Sequence, residues 1–324
     1  MRKFVSVAAG VVLIGLIAVP AQPVSVPIET GSSVAGATTG APGAQTSSAR
    51  SPVTLAAAAT AHSTRQVAGA SGSGTRVVAV GDIANPGSPH RRVAALAAAL
   101  RPDRLLLAGD IAYPDGSLAQ FRRQFDPAWG RFRTIWLPVP GNHEYRTRSA
   151  AGYRTYFGES GGLWWSRKVG KWRVIGLDSE RVSSTKQRAF LTRTLEKYNK
   201  VPTLVVWHRP RYSSGHHGDQ RDTARLYDMV RKDRDVKVMV WGHDHDYERM
   251  TPPVKGRSTA LTAFVVGTGG GDQRADTTRT TRSWSRAFDN TAYGVLDLRL
   301  RRTGFSWAFV TIDGRTLDSG ARRF

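Results

Sequence analysis

The chain has 324 residues, of which 40% are hydrophobic and nine are tryptophan, so it carries enough apolar side chains for a substantial folded core. It has no cysteine, which excludes disulfides, thiolate metal ligands and a cysteine nucleophile. The formal net charge of +22 favours partners such as phosphate esters, nucleic acid or anionic polymers. An arginine-rich composition inherited from a GC-rich genome explains the same charge equally well, because the arginines are scattered.

Two segments precede the first strand pattern. Residues 1–21 have a basic start, a short apolar stretch and a small-residue cleavage site ending at Ala21, which is the pattern of a secretory signal peptide. Residues 22–75 are mostly Ala, Gly, Ser, Thr and Pro, and they predict a flexible linker. We therefore expect a secreted protein with no stable membrane anchor after cleavage and a folded catalytic domain over residues 76–324.

From residue 76 onward, apolar runs alternate with amphipathic stretches. Strands are predicted at 76–82, 104–110, 172–178, 203–210, 236–246 and 262–271, with a further short strand within 134–144. Helices are predicted at 88–100, 184–199 and 221–232. Ser88 is the predicted N-cap of the first helix, and Ser184 with Gln187 resembles a capping box. The alternation after Tyr293 predicts an antiparallel hairpin. This order of elements indicates an α/β fold with a buried sheet.

Polar side chains follow five of the predicted strands. The candidates are Asp82, Asp110, Tyr113, Asn142, His208, His243 and His245. Because ligands of α/β sheets bind beyond the carboxyl ends of strands, these side chains are expected to converge on one site. Each alone also fits a turn residue or a core histidine. His243 and His245 are the least easily explained in that way, since buried imidazoles need partners or a cation.

The donor types indicate which metals would suit such a site. Carboxylate, phenol, amide and imidazole donors suit zinc, iron or manganese, and seven candidates are too many for one tetrahedral ion. Two ions about 3.5–4 Å apart are a known device for hydrolysing phosphate esters. At the end of an extended strand, His243 and His245 are expected to point in the same direction.

The ordered motifs GD, GDIAY, GNHE, WHRPRYSSGHH and GHDHDYER resemble those of the calcineurin-like metallophosphoesterases over essentially all of residues 76–324. They most resemble the purple acid phosphatase branch, because Ala84 stands where many members have a histidine and Tyr113 stands where this branch has a tyrosine. The resemblance implies a four-layer αββα fold, in which two mixed sheets form a β-sandwich flanked by helices.

The resemblance also implies a dinuclear metal centre. Three donors are expected at an Fe(III) ion: Asp82, Tyr113 and His245. Three are expected at a divalent Zn, Mn or Fe ion: Asn142, His208 and His243. Asp110 is expected to bridge the two ions.

Three further histidines are implied in catalysis. His143 is expected to protonate the leaving group while a metal-bound hydroxide attacks phosphorus in line. His216 and His217 are expected to face the substrate, although their spacing from the WHRP motif is one residue shorter than in the plant enzymes. Glu144 and Asp246 are candidate partners of the ligand imidazoles or, equally, ordinary loop carboxylates.

The expected function is hydrolysis of small phosphomonoesters outside the cell. The same motifs serve phosphodiesterases that act on nucleotides, glycerophosphodiesters or cell-wall polymers, and this remains the alternative. A basic binding protein with a vestigial metal site is a third hypothesis, which the complete donor set disfavours. The positive charge also predicts association with polyanions.

Overall fold

The computed structural model describes residues 74–158, 162–254, 261–274 and 282–324. The predicted signal peptide and all but the end of the predicted linker lie outside the described residues. No helix in the described ranges has the length and hydropathy needed to cross a membrane.

Thirteen strands and six α-helices make up the described part of the chain. The strands are β1 (Thr75–Val80), β2 (Arg104–Leu107), β3 (Trp136–Pro138), β4 (Trp165–Val169), β5 (Trp172–Gly176), β6 (Thr203–Val206), β7 (Val236–Trp241), β8 (Tyr247–Met250), β9 (Thr262–Val266), β10 (Ser285–Asp289), β11 (Gly294–Arg301), β12 (Gly304–Thr311) and β13 (Thr316–Arg323). The helices are α1 (His90–Ala99), α2 (Leu118–Gln120), α3 (Asp126–Trp129), α4 (Ala151–Phe157), α5 (Thr185–Lys197) and α6 (Ala224–Lys232). A π-helical turn, Phe121–Phe125, joins α2 to α3.

The strands form two mixed sheets. The first sheet has the order β13-β12-β11-β1-β2-β3, in which β1, β2 and β3 run parallel and β11 to β13 pair antiparallel. The second has the order β10-β8-β9-β7-β6-β5-β4, with a parallel centre from β5 to β9 and antiparallel pairs outside it. The loops that contain the candidate metal donors follow the carboxyl ends of parallel strands β1, β2, β3, β6 and β7.

Alternation along β1 places the sheet between two cores. Val77 and Ala79 belong to the core shared with second-sheet residues such as Val206. Val78 and Val80 belong to the core that includes residues of α1 and α4. A third core joins the second sheet to α5 and α6. Helix, sheet, sheet and helix therefore follow in four layers, and the predicted fold is confirmed.

The structure changes several local predictions. Ser88 does not cap α1, because its hydroxyl donates to the Asn85 carbonyl at 2.7 Å and the helix begins after Pro89 without a side-chain cap. Ser184 does accept from the Gln187 backbone N–H at 3.2 Å, but the Gln187 side chain bonds other backbone groups. The described strands β4, β8, β10 and β13 were not predicted, because polar residues interrupt their apolar pattern.

Candidate metal centre

The loops after β1, β2, β3, β6 and β7 meet at one edge of the sandwich. The Asp82 N–H donates to the Gly109 carbonyl at 3.0 Å, which joins the β1 and β2 loops. The His243 N–H donates to Asp82 Oδ2 at 2.8 Å, which joins the two sheets. The His143 N–H donates to Asp110 Oδ1 at 2.8 Å. The structure therefore brings all seven candidate donors to the same edge, as the strand-end pattern predicted.

The first donor group contains Asp82, Tyr113 and His245. The Tyr113 hydroxyl donates to Asp82 Oδ1 at 3.1 Å and lies 3.3 Å from His245 Nε2. His245 Nε2 lies 3.5 Å from Asp82 Oδ1. His245 Nδ1 faces the Asp272 carbonyl at 2.7 Å, so a proton on Nδ1 leaves the Nε2 lone pair directed into the group.

The second donor group contains Asp110, Asn142, His208 and His243. His208 Nε2 lies 3.1 Å from Asp110 Oδ2 and 3.2 Å from Asn142 Oδ1. Asp110, His208 and His243 each offer a donor atom within 4.8 Å of the others. His208 Nδ1 is held by the Ala108 carbonyl at 2.8 Å, which leaves Nε2 for the group.

The electrostatics of the second group depend on burial and on Asp110. Burial disfavours the charged forms of both Asp110 and His208, but their mutual attraction outweighs it. The pKa of His208 is raised to about 10 and the pKa of Asp110 is lowered. Burial and the neighbouring His208 lower the pKa of His243 far below its usual range, which keeps this imidazole neutral. In the first group, burial together with Asp82 and Asp110 raises the pKa of Tyr113 well above its usual range.

These residues fit a pair of metal ions. Asp82 and His208 are fully buried, and Asp110 is 2% exposed, so the donors are collected where unpaired polar groups are costly. Oxygen and imidazole donors without thiolate suit iron, zinc and manganese. The donors form two adjacent groups, and Asp110 acts electrostatically on residues of both.

Three of the candidate donors have a left-handed backbone. The φ angles are 56° at Asp82, 48° at Asp110 and 72° at His243. Such angles cost about 1–3 kcal/mol at non-glycine residues and concentrate at functional sites. His243 therefore lies in a bend after β7, so the expectation of an extended strand end is wrong, and the two histidines reach different groups. A glycine precedes each of the three residues, which is the sequence signal that marks these turns.

Glu144 has a structural role that the sequence did not predict. Its Oε1 accepts from the backbone N–H groups of Ile111 and Ala112 at 2.8 and 3.3 Å. Its Oε2 accepts from those of Asp110 and Gly141 at 2.9 and 2.7 Å. Burial and the Asp110 carboxylate raise the pKa of Glu144 to about 8. Glu144 thus joins the β2 loop to the β3 loop and does not orient a ligand imidazole.

His143 lies at the edge of the centre. Its Nδ1 is 2.5 Å from the Pro114 carbonyl, and its Nε2 is 3.8 Å from Asp110 Oδ2. Its ring centroid is 4.4 Å from that of Tyr113. The imidazole is partly exposed, so it can reach both the buried donors and a bound molecule.

His216 and His217 lie in the loop after β6. The ring centroid of His217 is 4.4 Å from that of His243 and 6.2 Å from that of His245. His216 Nε2 is 3.2 Å from the Arg274 guanidinium. Another arginine, Arg209, places Nη1 3.2 Å from His243 Nε2. Sequence reasoning missed both arginines, because neither belongs to a recognised donor position.

Residues 75–247, more than half of the 324 residues, match the family model of the calcineurin-like phosphoesterases. The chain therefore belongs to the calcineurin-like phosphoesterase family, and the predicted resemblance to this family is confirmed.

Among the relatives, acid phosphatase type 7 of Mus musculus is 29% identical over 185 residues, which cover 46% of this chain and 41% of that protein. The purple acid phosphatase PPD1 of yellow lupin seeds superposes with a TM-score of 0.67 at 20% identity, over 78% of this chain and 54% of that chain. GAP50, the anchor in the inner membrane complex of Plasmodium, superposes with a TM-score of 0.61 at 18% identity, over 77% of this chain and 89% of that chain. The chain thus spans less than half the length of the mouse phosphatase, and the solved structures share its fold.

Proposed function

We propose that this protein is a secreted phosphatase that hydrolyses phosphomonoesters at a dinuclear centre of Fe(III) and a divalent ion. The observation that carries the proposal is the pair of adjacent donor groups: Asp110 lies 3.1 Å from His208 Nε2 in one group and acts electrostatically on Tyr113 of the other. The relatives named acid phosphatase and purple acid phosphatase support the reaction class.

Each donor group would hold one ion. The ferric ion would be held by Asp82, Tyr113 and His245. The divalent Zn, Mn or Fe ion would be held by Asn142, His208 and His243. The Asp110 carboxylate would be shared between them. When bound, such a pair supplies a nucleophile near neutral pH and positive charge for the phosphate oxygens.

His143 would deliver the proton to the leaving group. With its Nδ1–H directed at the Pro114 carbonyl, the ring keeps Nε2 on the side of the centre. A proton on Nε2 would pass to the departing alkoxide oxygen as the P–O bond breaks. Nε2 lies 3.8 Å from Asp110 Oδ2. His216 and His217, in the loop after β6, would bind the phosphate oxygens.

The substrate class is tested by comparing hydrolysis of p-nitrophenyl phosphate with that of bis(p-nitrophenyl) phosphate by the full chain. Faster hydrolysis of the monoester supports a phosphomonoesterase. Faster hydrolysis of the diester overturns that assignment in favour of a phosphodiesterase of the same family, and hydrolysis of neither overturns the catalytic proposal in favour of a binding protein.

The metal assignment is tested by elemental analysis together with a visible spectrum. A tyrosinate–Fe(III) charge-transfer band that disappears in Tyr113→Phe supports the ferric ion and its tyrosine ligand. An active protein without iron and without such a band overturns this assignment and leaves the wider family.

Secretion rests on the pattern of residues 1–21. N-terminal sequencing of protein recovered from the medium should begin at Gln22, and retention of the intact N-terminus in cells would contradict this. The net charge of +22 also supports association with polyanions. Binding to an anionic polymer should then weaken steeply as salt is added, whereas salt-independent binding or none would exclude it.

A further inference from the structure

The loop of residues 213–218, which carries His216 and His217, is hydrogen-bonded to residues 243–248, called here the acidic segment. Asp244 Oδ1 accepts from the His217 backbone N–H at 2.6 Å, and its Oδ2 accepts from the Gly218 N–H at 3.2 Å. Both oxygens of this fully buried carboxylate therefore hold the end of the loop.

A second carboxylate holds the beginning of the same loop. Glu248 Oε2 accepts from the Ser214 backbone N–H at 2.8 Å, and its Oε1 accepts from the Ser214 hydroxyl at 2.7 Å. Glu248 is fully buried as well. Glu248 therefore holds the loop before His216, and Asp244 holds it at His217 and Gly218. Hydrogen bonds to a charged carboxylate are stronger than those between neutral groups.

The loop backbone also lies directly on this segment. A Cβ atom at Gly215 would be 2.0 Å from Asp246 Oδ2 and 2.7 Å from Asp244 Cγ. No side chain fits there without moving the loop away from the acidic segment. Asp246 is itself buried, and its Oδ1 has no hydrogen-bond partner among the described residues, so this side chain contributes close contact with the loop.

The same segment carries candidate metal ligands. His243 and His245 belong to the two donor groups, while Asp244 and Glu248 bond the loop. The two buried carboxylates that bond the loop, Asp244 and Glu248, would repel each other and an anionic substrate, so their burial needs a compensating contribution. The four hydrogen bonds to the loop stabilise these carboxylates, and the loop that they hold carries the His217 ring 4.4 Å from the His243 ring.

We propose that Asp244 and Glu248 are positioning residues that hold His216 and His217 at the phosphate-binding side of the centre. The substrate affinity of the enzyme then depends on two carboxylates that touch neither substrate nor metal. The expected change in KM rests on the proposed function. The four hydrogen bonds that hold the loop do not depend on that function.

The test compares Asp244→Ala and Asp244→Asn with the wild type and with Asp297→Asn. The control removes a partly buried carboxylate that pairs with Arg76 at 2.7 Å in the first sheet. Loss of the two bonds in Asp244→Ala should raise KM about tenfold, with kcat and metal content nearly unchanged. Asp244→Asn keeps one acceptor oxygen and should fall between Asp244→Ala and the wild type, while the control should match the wild type.

A second readout does not depend on catalysis. Amide hydrogen exchange of residues 213–218, measured in metal-free protein, should be faster in Asp244→Ala than in Asp297→Asn. If Asp244→Ala fails to fold, Ser214→Ala removes only the hydroxyl bond to Glu248 and should give a smaller increase in both KM and exchange.

If amide hydrogen exchange of residues 213–218 is unchanged in these variants, the carboxylates do not hold the loop and the inference is wrong. Faster exchange with unchanged KM, or a loss of kcat alone, would overturn the positioning role. If the wild type hydrolyses no phosphate ester, the proposed function fails, and the exchange measurement still decides whether Asp244 holds the loop.

Discussion

The two sheets contribute different chemistry to the candidate metal centre. Every oxygen donor follows a strand of the first sheet, after β1, β2 or β3: Asp82, Asp110, Tyr113 and Asn142. Every nitrogen donor follows a strand of the second sheet, after β6 or β7: His208, His243 and His245. The first sheet thus supplies the negative charge, and the second supplies imidazoles.

This division means that neither sheet carries a complete site. Two close donor pairs cross from one sheet to the other: Asp110 and His208 are 3.1 Å apart, and Tyr113 and His245 are 3.3 Å apart. Closure of the sandwich therefore assembles the centre, and bound metal ions would in turn stabilise the closed sandwich, because they bind only the folded arrangement.

The largest effect on activity is expected at Asp110, the first-sheet carboxylate proposed to be shared by the two metal ions. Asp110→Ala should lower the rate of phosphate ester hydrolysis by on the order of a thousandfold and reduce the content of both metals. His208→Ala should instead deplete the divalent ion and keep the visible band of the ferric site. Elemental analysis, spectra and initial rates measure these outcomes.

The exposed carboxylate of Asp228 on α6 offers a control, since Asp228→Ala should change none of them. Wild-type activity in Asp110→Ala would refute the shared carboxylate.

The next effect separates proton transfer from metal binding. His143→Ala should lower kcat by about 10²- to 10⁴-fold for an alkyl phosphate, whose leaving oxygen needs a proton. The loss should be much smaller for p-nitrophenyl phosphate, because nitrophenolate leaves without one. Metal content should stay at the wild-type level. Equal losses on both esters would show that His143 does not act as the acid.

A smaller effect is expected at Glu144, which joins the loops after β2 and β3 of the first sheet. Glu144→Gln replaces one acceptor oxygen by a donor amide that faces backbone N–H groups. Metal affinity should fall by about 10- to 100-fold, and excess metal should restore much of the activity. Metal titrations of the apoprotein measure the change. Activity that stays low at saturating metal would show that Glu144 contributes to more than metal binding.

The smallest effect on activity is expected where the two sheets meet away from the centre. Asp318 on β13 accepts from Arg249 and Tyr247 of β8 at 2.7 and 2.6 Å. Burial opposes its ionisation, but the bonds from Arg249 and Tyr247 outweigh this and lower the pKa of Asp318. Asp318→Asn should lower the free energy of unfolding by about 1–3 kcal/mol at pH 7 and leave kcat/KM unchanged.

The pH dependence of that difference follows from the direction of the shift. Because the folded-state pKa is depressed, the Asp318 contribution is present above the unfolded pKa of about 3.9 and is lost as pH falls through the folded value. Urea unfolding of both proteins at pH 7 and near pH 3 should therefore show a shrinking difference. A difference that is constant with pH would assign the effect to packing.

The candidate donors, and their position after strands, could be predicted from the sequence alone. Both are local properties, since GD, GNHE and GHDHD keep the donor, the adjacent glycine and the strand end within a few residues. The apolar runs likewise predicted the parallel strands, because these are buried on both faces. Strand β13 was missed because most of its residues are at least partly exposed.

The roles of the buried carboxylates could not be predicted from the sequence, because they depend on contacts between distant segments. Glu144 bonds the Asp110 backbone 34 positions away, Glu248 bonds Ser214 34 positions away, and Asp318 bonds Tyr247 71 positions away. A carboxylate in a loop motif looks the same in sequence whether it binds metal, faces water or holds a backbone. Its hydrogen-bond partners are set by which strands pack beside it, and that depends on closure of the two sheets.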